Sequence, residues 1–142
     1  MKKLLRLFVL VVFLPLFIGS CVEDHYNAWT FASEYEIGYR NGIYAWDYDE
    51  IDDLFFCRIP VRELTRNIYE EGMLAAYIVY YVDDQKVDSP LPYSDFYMEN
   101  GYQYSHQYTC EFSPGWVTFT FRDSNFSIDV PPAATFVLKM LR

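Results

Sequence analysis

The stretch Tyr102-Gln103-Tyr104-Ser105-His106-Gln107-Tyr108-Thr109-Cys110-Glu111-Phe112 alternates without a break between ring- or sulfur-bearing residues and polar ones. Side chains on a strand point to opposite faces in turn, so this pattern predicts one long strand. Its dry face carries Tyr102, Tyr104, His106, Tyr108, Cys110 and Phe112. The two flanks are turn signals: Asn100-Gly101 before it and Ser113-Pro114-Gly115 after it. Val117, Phe119 and Phe121 then alternate with Thr118 and Thr120, so the segment from about Tyr93 to Ser127 reads as a meander. Phe126, Ile128 and Val130 form a short run before Pro131-Pro132, and Phe136, Leu138 and Met140 close the chain. The closing strand carries Lys139-Met140-Leu141 where β-branched residues are expected, which leaves its register open.

The same period continues upstream. Phe55, Cys57, Ile59 and Val61 share a face, with Arg58 opposite. Trp29, Phe31, Tyr35 and Ile37 alternate with Thr30, Glu34 and Glu36. Met73 to Val82 is apolar on both faces, as for a central strand covered on both sides. One helical interruption is expected in Arg62 to Gly72, where Leu64 and Ile68 stand four apart and Gly72 is placed to end the helix in the left-handed conformation. About seven short strands and one short helix predict an all-β fold, an antiparallel β-sandwich, with a small β-barrel as the alternative.

Of 142 residues, 52% are hydrophobic, 20% aromatic and 22% charged, which argues for one folded domain rather than a disordered chain. The formal net charge is −9. An excess of carboxylates repels a phosphate backbone, so no nucleic-acid partner is expected.

The N-terminus reads as an address. Lys2, Lys3 and Arg6 form a basic head, and Leu7 to Ile18 is an apolar stretch interrupted by Pro15. It is too short to span a bilayer, which takes about 20 apolar residues. With Gly19-Ser20 it has the form of a secretory signal peptide. The segment Phe17-Ile18-Gly19-Ser20-Cys21 resembles the lipobox of bacterial lipoproteins. That resemblance implies a lipid on the Cys21 sulfur and cleavage just before it, giving a signal peptide at 1–20, a tether at 21–27 and a β-sandwich domain at 28–142. Loss of residues 1–20 removes three basic residues and no acidic one, moving the net charge from −9 to −12. One acyl chain binds a membrane only marginally, whereas two or three hold it firmly. Glu23-Asp24, just after the cysteine, is similar to the surface-export signal of Bacteroidota lipoproteins, and a plain polar tether is the other reading.

Within the domain, Tyr69-Glu70-Glu71-Gly72-Met73, Val79-Tyr80-Tyr81, Leu91-Pro92-Tyr93, Phe112-Ser113-Pro114-Gly115 and Thr135-Phe136-Val137 follow one another in an order that resembles a group of small Bacteroidota lipoproteins of unassigned activity. The resemblance implies a lipid-anchored outer-membrane location, periplasmic or surface-exposed, and a β-rich domain. It supplies no site.

Chemistry-bearing constellations are sparse. Asp47, Asp49, Glu50, Asp52 and Asp53 could offer oxygens to calcium, but the spacing lacks the glycine and closing glutamate of an EF-hand loop. A solvated acidic hairpin is favoured, and no metal or cofactor is expected apart from the covalent lipid on Cys21. Trp46 and Tyr48, set among these carboxylates, are the candidates for exposed aromatics that stack on a sugar. The tyrosine stripe Tyr102, Tyr104 and Tyr108 is expected in the core. His106 is expected as a buried neutral histidine with one hydrogen bond, and His25 lies in the tether. The chain lacks G-x-S-x-G, H-E-x-x-H and a Gly-rich phosphate loop. No catalytic residue is assigned. Cys57 and Cys110 are expected as two separate thiols rather than a disulfide, although the extracytoplasmic compartment permits one.

The expected function is therefore a membrane-anchored, non-catalytic binding or accessory module at the cell surface, with a glycan or a surface protein as partner. The alternative is a structural or interaction subunit without a small ligand, which a long unpaired edge strand or an exposed apolar patch would favour. An enzyme would need a deep cleft holding His106 and two carboxylates.

Overall fold

The computed structural model describes residues 30–38, 43–125 and 131–142. The signal peptide, Cys21, the tether, Trp29 and the run Phe126–Val130 lie outside the described residues.

Among the described residues ten strands and one helix follow in order: β1 (Thr30–Gly38), β2 (Tyr44–Ala45), β3 (Asp47–Asp49), β4 (Leu54–Pro60), α1 (Arg66–Glu71), β5 (Met73–Val82), β6 (Gln85–Pro90), β7 (Tyr93–Glu99), β8 (Tyr102–Ser113), β9 (Trp116–Asp123) and β10 (Ala134–Leu141). They form two five-stranded sheets, β2-β1-β10-β5-β6 and β3-β4-β9-β8-β7. All pairings are antiparallel except β1 with β2. The fold is a β-sandwich: the sheets stay separate, and the barrel alternative falls away. The count exceeds seven because β2 and β3 are stubs of two and three residues, which carry the chain from one sheet to the other past Trp46. On the opposite side, Leu91-Pro92, joined by a cis peptide bond, carries β6 into β7.

The alternating residues meet between the sheets. Ile37, Ile59, Val117, Phe119, Phe136 and Leu138 are fully enclosed, and Phe119 stacks on Phe136 with ring centroids 4.4 Å apart. Each large side chain buried in this way contributes roughly 1.5–3 kcal/mol. β10 keeps its alternation despite its C-terminal composition, with Phe136, Leu138 and Met140 inward and Lys139 exposed. The turns follow their chemistry. Asn100 and Gly101 both take positive φ, as a two-residue hairpin requires, and Gly115 takes φ +81 after Pro114.

Two expectations need correction. Gly72 does end α1, but in extended conformation, φ −88 and ψ 173. Glycine is required there by crowding: a Cβ would lie 2.6 Å from the Ile68 carbonyl oxygen and 2.9 Å from that of Leu141. β5 is covered on both faces only in its middle, at Ala76, Ile78 and Val79; Met73, Tyr81 and Val82 are exposed. The edge strand β6 pairs with Tyr77 to Val82 and leaves Met73 to Ala76 without a strand partner on that side among the described residues.

Candidate binding surface at the overhanging hairpin

The register of β8 defines the most distinctive surface. His106 to Ser113 pair with β9 on one side, whereas among the described residues Tyr102 to Ser105 have a strand partner only in β7, with Ser105 bonded in addition to Ser124 just past β9. The β7–β8 hairpin therefore runs past the end of β9 as a two-stranded arm. The long dry face expected of β8 is correspondingly divided. Tyr108 is buried and Cys110 and Phe112 are half-buried, but Tyr104 and His106 are only half-covered and Tyr102 is 76% exposed. Tyr102 and Tyr104 are not core residues, because the opposite sheet does not reach them.

On the inner face of the arm, cross-strand pairing sets Tyr93 opposite Tyr108, Asp95 opposite His106, Tyr97 opposite Tyr104 and Glu99 opposite Tyr102. Tyr97 and Tyr104 stack with centroids 5.4 Å apart. The His106 ring lies 4.7 Å from Tyr97 and 5.1 Å from Phe121. Asp95 accepts hydrogen bonds from the Tyr93 and Tyr97 hydroxyls, and Glu99 accepts from the Tyr104 hydroxyl at 3.4 Å. Loss of water, then the adjoining carboxylates, raise Tyr93, Tyr97 and Tyr104 above the ordinary phenol range, so all three act as neutral donors. His106 is flanked in register by Asp95 and Asp123. Its enclosed Nδ1 has no hydrogen-bond partner among the described residues, where one bond was expected.

The outer face of the arm is different. Phe96 and Met98 are 72% and 79% exposed and point away from the core. Strand β7 is the edge of its sheet. The segment 93–113 contains Asp95, Glu99 and Glu111 and no Lys or Arg.

The acidic hairpin and its aromatics lie elsewhere. Trp46 is not an exposed platform: it is 8% exposed, its ring packs edge-on to Phe136 at 6.1 Å, and its Nε1 donates to the Pro132 carbonyl. The step between β2 and β3 turns it inward. Tyr48 is half-buried against Phe55 at 4.9 Å, and its hydroxyl donates to Asp53. Asp49 accepts from the backbone N–H groups of Ile51 and Asp52, closing the turn between β3 and β4. Among the described residues no group of three or more His, Cys, Asp or Glu is arranged to hold a metal ion.

A cavity of about 390 Å³ lies at the helix end of the sandwich, between Phe31, Ile68, Met140 and Leu141, and does not include His106. Both cysteines within the described residues are free. Cys57 and Cys110 each pair with Phe119, one on either side of β9, so about two strand spacings, roughly 10 Å, separate them, beyond the roughly 7 Å that a disulfide spans. Burial pushes each thiol up to about 11.

No protein-family model, curated protein or solved structure matches this chain. Sequence reasoning passed over β7 as a site. The run Phe96-Tyr97-Met98 puts apolar side chains on both faces of one strand, and that signal becomes informative only once the strand is known to be an edge.

Proposed function

We propose that the chain is a lipid-anchored extracytoplasmic protein of the outer membrane, whose domain works without catalysis as an interaction or accessory subunit of a surface assembly. The lipobox-like Phe17-Ile18-Gly19-Ser20-Cys21 supports the anchor. The observation that carries the interaction role is the exposed Phe96 and Met98 on edge strand β7, set against a Trp46 that is buried and offers no platform. Exposed apolar side chains on an unpaired strand mark protein contact surfaces. Two measurements test the reading. Cys21→Ser should leave a longer precursor without acyl label, and equal labelling of variant and natural chain would refute the anchor. A photo-crosslinker at position 96 should join the chain to one defined protein at the membrane, while a crosslinker at exposed Glu36 should not.

A second reading rests on the stacked Tyr97 and Tyr104 beside Asp95 and Glu99. Aromatic faces with adjacent carboxylates suit a sugar ring and its hydroxyls. A glycan array separates the two: a glycan hit abolished by Tyr97→Ala would favour this second role.

A further inference from the structure

The four sheet edges of the sandwich are not equally guarded. β2 and β3 are too short to template another strand. β6 carries Lys86 and Pro90, and Lys86 is tied to Glu34 at 2.6 Å while Asp88 is tied to Lys139 at 3.3 Å. Lysine, proline and short length are the usual devices that blunt an edge. β7 has neither of the first two: its seven residues from Tyr93 to Glu99 contain no Lys, no Pro and no described partner on the outer side, and its charges, Asp95 and Glu99, are of one sign. In an antiparallel edge strand every second residue turns its N–H and C=O outward, ready for another strand.

Resting on the interaction role proposed above, we propose that β7 receives an extended protein segment as a sixth strand of its sheet, and that this segment alternates basic and apolar residues. The alternation follows from the two faces of β7. Phe96 and Met98 stand on the outer face and call for apolar neighbours on the incoming strand. Asp95 and Glu99 stand on the inner face, and no Lys or Arg lies anywhere in 93–113 to neutralise them. Basic side chains at alternate positions of the partner meet these carboxylates. A second copy of this chain fits less well, because it would bring the same lysine-free acidic strand and a net charge of −9 against its like.

The test uses the full chain purified in detergent and a short synthetic peptide alternating Lys and Val. The peptide binds, and binding weakens as salt rises because the partly exposed ion pairs are screened. Its Glu–Val counterpart does not bind. N-methylation of every second amide, made in both phases, abolishes binding in one phase and spares it in the other, since only one set of amides faces β7. The double variant Phe96→Lys/Met98→Lys, at positions too exposed to affect folding, keeps its melting temperature and loses at least about tenfold in affinity. Glu99→Gln weakens binding at low salt and not at high salt. The proposal is overturned if the Lys–Val peptide does not bind, if the Glu–Val peptide binds equally, or if both N-methylated phases bind like the parent. A dimer of the chain that the double variant dissolves would also overturn it, by giving the edge to a second copy. Failure of the peptides with a specific crosslink at position 96 would sink the basic–apolar partner and leave the interaction role standing. Failure of both would sink the two together.

Discussion

The two ends of the sandwich are built on opposite plans. At one end the chain seals one corner of the sandwich, beside the cavity of about 390 Å³. Leu64 is fully enclosed, the Gly115 N–H donates to the Leu64 carbonyl, and the Val61 N–H donates to the Gly115 carbonyl. α1, capped by the Thr65 hydroxyl, closes over this corner. At the other end the β7–β8 arm outruns β9; Tyr93 and Tyr108 still touch Tyr80 and Phe136 of the opposite sheet, but Tyr97, Tyr104 and His106 pack on one another. The contrast teaches where each property of the domain resides. Burial is concentrated where the two sheets overlap, and the arm is the part whose apolar groups the described fold does not cover.

That contrast is open to direct attack. The largest effect is expected from Leu64→Ala at the sealed end, which should cost about 2–5 kcal/mol in denaturant unfolding, whereas Met98→Ala on the arm should stay within about 0.5 kcal/mol. Comparable losses at the two positions would erase the distinction. Gly72→Ala should cost about 1–3 kcal/mol, because both atoms nearest the new Cβ are backbone carbonyl oxygens with little room to move. A neutral result would mean that the helix end yields more easily than its close approaches imply.

The covered region should also reveal itself through pH. Cys57 and Cys110 are held at about 11 by burial, above the ordinary thiol value that the unfolded chain would show. The folded state thus binds protons that the unfolded state has released. Their contribution is complete below about pH 8.5 and is lost as pH rises through 11, at most about 2 kcal/mol for the well-buried Cys57. The half-exposed Cys110 adds less, and the buried Tyr108, also raised by loss of water, acts in the same direction. Unfolding midpoints measured from pH 7 to 11 should therefore fall, and Cys57→Ala should flatten the decline. At pH 8 both thiols should react slowly with a thiol reagent in the native protein and readily after unfolding. A modest effect is expected within the arm: Tyr97→Ala should remove about 0.5–1.5 kcal/mol of ring stacking. A larger loss would show that the arm belongs to the cooperative core.

Much of the sandwich was legible because burial leaves a period in the sequence. Phe55, Cys57 and Ile59, and likewise Val117, Phe119 and Phe121, are apolar at every second position and enclosed as expected. The helix was legible through Leu64 and Ile68, though its final glycine answers to crowding rather than to a positive φ. The pattern misleads where it outlasts the sheet that would cover it. Tyr102 and Tyr104 continue the alternation of Tyr108, but which strand lies opposite is a matter of topology. Trp46 misled for the converse reason: its acidic neighbours in sequence are not its neighbours in space, since β2 and β3 belong to different sheets. The edge character of β7 depends on strand order, which no local spacing encodes.

The direction of β1 has a further consequence. Its first residue, Thr30, pairs with Leu141 at the helix end, so the chain enters the sandwich there. Only eight residues lie between Cys21 and Thr30, a leash of at most about 30 Å when fully extended. If Cys21 carries a lipid, the end of the sandwich that holds α1, with its exposed Arg66, Glu70 and Glu71, would be the end nearest the bilayer. The Asn100-Gly101 tip and the carboxylates of the β3–β4 turn look outward. The molecule would then have a foot and a hand, and a segment added to β7 would meet the half of the sandwich farther from the lipid.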